Sequence, residues 1–145
     1  MGLIRYPVTE DVPLDDRLLA HVQAVTAHRF RAGQPFLLSV PGPLLGPHPL
    51  GGDAGQAPSV PGRLSLWMHP AIAVQFIFSG SRHPELNPVV LELFTALCDT
   101  AQGLVLVPEH QAAARLAEFH ERRHQLASIE DERLPGPPGR PASSP

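Results

Sequence analysis

Residues 41–62 read PGPLLGPHPLGGDAGQAPSVPG. Proline lacks the N–H that a helix or an inner strand needs, and glycine loses the most backbone entropy when ordered. The stretch therefore excludes regular structure from the middle of the chain. Whatever core forms must be assembled from the segments on either side. A loop this long inside a compact domain is either functional or disordered. Its composition favours a flexible insertion. A lid or binding loop, with Leu44, Leu45 and Leu50 as apolar contacts, is the alternative.

On the N-terminal side, LIRYPV (3–8) reads as a short strand. It is followed by a helix over about 13–29, where Leu18, Leu19, Val22, Val25 and Thr26 recur at helical spacing. Asp11 is placed to cap this helix, with Pro13 in its first turn. His21 and His28 lie off the apolar stripe and read as solvated. PFLLSV (35–40) is a second strand.

Beyond the central stretch, RLSLWM (63–68) and AIAVQFIF (71–78) alternate around His69-Pro70 and read as an antiparallel hairpin. The second of these is apolar on both faces, which predicts a central strand. Asn87-Pro88 is a cap followed by a first-turn proline, and Gly103 is placed to stop that helix. LVLV (104–107) is a buried strand. Pro108 opens a last helix, whose stripe is Ala112, Leu116 and Phe119, continued by Arg123 and Leu126.

The expected order is β-α-β-loop-β-β-α-β-α. It predicts an α+β two-layer sandwich, with one mainly antiparallel sheet and helices on one face, as in a ferredoxin-like variant. Residues 1–133 form the single domain, and the proline-rich tail 134–145 is expected to be disordered.

Composition narrows the function classes. The chain has 145 residues, one cysteine (Cys98) and a formal net charge of −3. One cysteine excludes an intramolecular disulfide and a Cys-rich zinc motif. Cys98 falls in an apolar helical run, which suits a packed thiol. Every basic residue is an arginine and Asn87 is the only asparagine, a bias expected of a GC-rich bacterial genome. No basic cluster with interleaved aromatics appears, so no nucleic-acid partner is expected. No apolar run approaches a membrane helix, and the N-terminus lacks the pattern of a secretion signal. A cytoplasmic location follows as the expectation.

One string points at chemistry. His120-Glu121-Arg122-Arg123-His124 is an H-E-x-x-H, which on a helix can hold zinc and set a carboxylate beside a metal-bound water. Over about a dozen residues it resembles the metzincin pattern, which would make Glu130 the third ligand and Glu121 the base. Two defining positions depart from it: Glu130 replaces the third histidine, and Ala127 stands where a glycine allows a sharp turn. Arg122 and Arg123, inside the string, would also oppose a cation. The expectation is therefore no metal and no cofactor, with zinc hydrolysis through His120, Glu121, His124 and Glu130 as the alternative.

Two other places are candidates for binding. The loop SGSRHPELNP (79–88) precedes a helix N-terminus, where backbone N–H groups can receive an anion with help from Arg82 and His83. It has one glycine and is not a phosphate-binding loop. Trp67 alternates away from Leu64, Leu66 and Met68. It either packs under a helix or faces out as the anchor of an interface, and the two-sided strand beside it favours burial.

No nucleophile or nucleotide signature is present. LNPVVLELFTALCDTAQGLVLVPE (86–109) resembles the helix–glycine–strand ending of small bacterial α+β proteins, some of the toxin-immunity type. That resemblance implies a non-catalytic interaction domain whose partner is another protein.

Overall fold

The structure is a computed structural model that describes residues 1–7, 11–46 and 62–133. The expectations for Leu50, for most of the central stretch and for the tail from residue 134 lie outside the described residues. Strand β1 (Gly2–Arg5) is followed by β2 (Val12–Leu14), which pairs with it antiparallel and buries Val12 and Leu14. This corrects the helix start. Pro13 sits in an edge strand, where a missing N–H costs least. Asp11 pairs with Arg5 instead of capping. Helix α1 (Asp16–Arg31) is capped by Asp15, whose carboxylate accepts from the N–H groups of Arg17 (3.1 Å) and Leu18 (3.3 Å).

Strand β3 (Phe36–Pro41) pairs antiparallel over its full length with β4 (Arg63–Met68), with Leu38 opposite Leu66 and Phe36 opposite Met68. The central stretch is thus a hairpin connection. Its neck is closed by the Gly42 N–H donating to the Gly62 carbonyl at 2.8 Å. The expected hairpin between 63–68 and 71–78 does not form. Residues 71–78 contribute only β5 (Gln75–Ile77), an edge strand paired with β1, with Ile77 exposed. Loop-closure entropy grows only logarithmically with length. A long connection can therefore join β3 to β4, whose alternating apolar faces match better.

Helix α2 (Pro88–Cys98) starts where expected, with the Asn87 side chain accepting from the Val89 N–H at 3.0 Å. Gly103 then takes a φ of +73°, and a Cβ there would lie 2.4 Å from the Leu37 carbonyl oxygen. Only glycine fits this close approach. It lets β6 (Leu104–Val105) pair in parallel with β3. Helix α3 (Glu109–Arg133) ends the described chain.

The fold is α+β, as the order of elements implied. The single ferredoxin-like sheet is corrected to two three-stranded sheets, β2-β1-β5 and β4-β3-β6, the first antiparallel and the second mixed. The Tyr6 hydroxyl donates to the Trp67 carbonyl and ties one sheet to the other. α1 packs on β1 and α2, α2 on β6 and β3, and α3 on α2. Ile4, Leu14, Leu19, Leu38, Phe94 and Leu104 are fully buried in one continuous core. Among the described residues no helix is long and apolar enough to cross a membrane.

Candidate functional site

The H-E-x-x-H string lies on the second half of α3. Ala112 and Leu116 bury the first half, Phe119 is half-buried, and every residue from His120 to Arg133 is exposed. Packing stops there because α2, the helix that supports α3, is only 11 residues long. His120 Nε2 lies 3.3 Å from a carboxylate oxygen of Glu92 on α2. The Arg123 guanidinium sits over the Phe119 ring, 5.9 Å from its centre. His120 and His124 border a shallow surface depression with Arg123 and Ala127. Among the described residues no three His, Cys, Asp or Glu side chains are grouped to hold a metal, so Glu130 does not complete a set. The spacing is present, and among the described residues it stands on open surface and not in a buried cleft.

In the 79–88 loop, Arg82 and His83 are both exposed. Two N–H groups at the start of α2 are already bonded. That of Asn87 donates to His21 Nε2 at 2.8 Å, and that of Val89 donates to the Asn87 side chain. At the loop's other end Ser79 donates to Asp16 through both its N–H and its hydroxyl, which holds the Asp16 carboxyl below its ordinary range. Leu45 is a core residue and not a surface contact: it is 4 % exposed, drawn in as the Gly42–Leu44 turn folds back and the Gly46 N–H reaches the Pro13 carbonyl at 3.0 Å. Leu44 is half-buried beside α1. Trp67 is 54 % exposed, which corrects the expectation of burial. Its strand has only one covered face, because the apolar residues opposite it serve the core.

One buried polar group is a residue that its place off the stripe left as solvated. His21 is buried, 1 % exposed. Its Nδ1 lies 2.7 Å from the Arg17 carbonyl and its Nε2 accepts from Asn87, so the proton is assigned to Nδ1. Beside it, Glu109 accepts from Arg17 Nη2 at 2.8 Å and from Asn87 Nδ2 at 3.1 Å. The hydrogen bond from Arg17, and then that from Asn87, pull the Glu109 carboxyl down to about 2.

These contacts join the first turns of all three helices around a cleft of about 190 Å³ lined by Leu18, Leu44, Val90 and Pro108. Every nitrogen of His21 is engaged, and a carboxylate this acidic is a poor base. The cluster is a clamp between helices. Its signal was present: His21 follows Leu18 by three residues and precedes Val25 by four, so the buried stripe is wider than the aliphatic residues alone suggest.

A second clamp holds the other end of α1. Arg29 is 6 % exposed and donates to Asp99 (2.7 Å), Gln34 (3.1 Å) and the Thr95 carbonyl (2.7 Å). Cys98 is half-buried next to it, and burial pushes the thiol up to about 11, leaving it inert at neutral pH.

Comparison with known proteins finds no match among curated proteins and none among solved structures. Residues 1–109, from the first strand to the first residue of α3, match a family described as a domain of unknown function, DUF7882, and the chain belongs to that family.

Proposed function

We propose that the protein is a non-catalytic interaction domain that binds another protein through the outer face of the β4-β3-β6 sheet. Trp67 carries this reading. It is the chain's only tryptophan, it stands more than half exposed, and Leu37 lies directly opposite it on β3. Beside this pair, the exposed Ser65 and the buried Ser39 bond to each other at 2.8 Å. Tryptophan is strongly enriched among residues that carry interface energy. An exposed one has little other use in a fold that gains nothing from burying it. Toxin neutralisation is the specific form of this proposal, drawn from the likeness of residues 86–109 to immunity-type proteins. Val90, Leu93, Phe94, Leu104 and Leu106 of that stretch are core residues, and this reading assigns recognition to the sheet face.

The test compares the full chain with Trp67→Ala. The substitution is expected to change stability by less than about 0.5 kcal/mol, as for surface positions generally, and to lower partner affinity about tenfold or more. A partner retained equally by both proteins excludes this face. For the toxin form, co-expression must restore growth with the parent chain and fail with Trp67→Ala.

A further inference from the structure

An edge strand carries backbone N–H and C=O groups that its own sheet does not use. The two edges of the β4-β3-β6 sheet differ in this respect. On β4, the Trp67 carbonyl already accepts from the Tyr6 hydroxyl. On β6, the Leu106 N–H donates to the Ser39 carbonyl at 3.0 Å, and Ser39 stands level with Val105. Successive residues of a strand turn their backbone groups to opposite sides. The N–H and C=O of Val105 therefore point away from β3, toward a groove of about 460 Å³ between β6 and α3. Among the described residues no partner meets the N–H of Val105 or of Val107. Leu97, Val105, Val107 and Phe119 line this groove with apolar surface. Its charged residues are Arg115, Arg122 and Arg123 against the single acid Glu118. Arg115 lies 3.7 Å from Glu118 and Arg123 sits over the Phe119 ring, whereas Arg122 has no ion-pair partner among the described residues. The excess is local, since the chain as a whole carries a net charge of −3.

We infer that the groove receives an extended, acidic segment of another protein, added as a further strand beside β6. Its backbone pairs with the free groups of Val105. Its apolar side chains lie against Leu97, Val107 and Phe119, and its carboxylates meet Arg115 and Arg122. Residues 104–107 span about 13 Å at roughly 3.3 Å per residue, which matches a segment of about four residues. A docked helix would leave the Val105 groups unpaired, because a helix satisfies its backbone internally. A basic segment would face the arginines. The inference concerns the edge of the sheet, not the face that carries Trp67, and does not rest on the proposed partner face.

The probe is a dye-labelled peptide of valine–glutamate repeats with blocked ends, titrated into the full chain and read by fluorescence anisotropy. Saturable binding is expected, with the Val105 and Val107 amides gaining protection from hydrogen exchange. An added strand uses only one of its own edges. Of two peptides N-methylated at every valine or at every glutamate, one is therefore expected to lose about tenfold or more in affinity and the other to keep it. Arg115→Glu with Arg122→Glu, both exposed on α3, is expected to weaken binding about tenfold or more and to make a valine–arginine peptide the better ligand. Trp67→Ala is expected to leave the peptide bound. Absence of saturable binding to the parent chain overturns the inference. So do equal affinities of the two methylated peptides, or a valine–arginine peptide that the parent binds as well. Binding that disappears in Trp67→Ala overturns it too, since the peptide then lies on the sheet face, and so does a parent dimer that excludes the peptide, since a second copy then fills the groove. Failure of the peptide site leaves the Trp67 test of the partner face untouched.

Discussion

His21 of α1 and the two motif histidines of α3, His120 and His124, meet opposite fates. On α1, His21 belongs to no motif, yet both its nitrogens are bonded and its ring is buried. On α3, His120 and His124 complete a recognisable metal-binding string and stand on open surface. A string fixes spacing along a helix. Depth is fixed by what packs against it. α1 lies between β1 and α2, whereas α3 rests mainly on α2, and only through its first half. The chemistry a histidine can do follows depth more than spacing.

The largest effect is therefore expected at the histidine without a motif. His21→Ala leaves the Asn87 N–H and the Arg17 carbonyl without their partner in a buried place and opens a cavity. The expected loss is about 3 kcal/mol, read by urea unfolding. His21→Gln, which keeps an acceptor and a donor, is expected to lose less. Equal losses in the two variants would mean that ring volume, and not hydrogen bonding, is what α1 needs.

Arg29 comes next and separates a buried charge from its solvated partner. Its side chain is 8 % exposed, whereas that of Asp99 is 73 % exposed. Arg29→Ala removes bonds to three residues, and about 2 kcal/mol is expected. Asp99→Asn leaves the Gln34 and Thr95 contacts in place, and less than about 1 kcal/mol is expected. Equal costs would assign the whole effect to the ion pair.

The Glu109 clamp is expected to show in pH rather than in size. Its folded value near 2 lies below the ordinary value of 4.5. Its contribution is therefore complete above about pH 4.5 and is lost as pH falls through about 2. At neutral pH, Glu109→Gln should melt below the parent, and the gap should close on acidification. Asp11, Asp16 and Asp99 are also held low, but both proteins keep them and they cancel in the difference. A gap that stays constant with pH would show that the amide replaces the carboxylate fully.

Elements with local signals were legible in the sequence. The Asn87-Pro88 start, the full span of β4 and the long last helix were all read from caps and periodicity. Failures came where the deciding contact was distant. β4 chose β3 across the proline- and glycine-rich stretch because registering Leu66 and Met68 against Leu38 and Phe36 outweighed a small closure cost. Val12–Leu14 became a strand because β1 offered an edge, although Asp11 and Pro13 looked like a helix start. Trp67 was misjudged for the same reason: the face of a strand that is covered depends on where the helices dock. The candidate site was legible as types of residue and not as an arrangement. Arg17 and His21 share one helix, but Asn87 and Glu109 lie far from them in sequence, and only the packing of three helix starts brings the four together.

The smallest effect is expected at the motif itself. His124→Ala removes an exposed ring, and stability should change by less than about 0.5 kcal/mol. Zinc content, measured on protein purified without a histidine tag or added metal, should be far below one per chain in both parent and variant. A zinc site needs three or four donors, and the described residues offer two imidazoles, one of them held by Glu92, with Arg122 and Arg123 between them. Stoichiometric zinc that disappears in His124→Ala would reverse the comparison between the two helices. The missing donors would then have to come from something that covers α3, and depth, supplied from outside, would again be what turns spacing into chemistry.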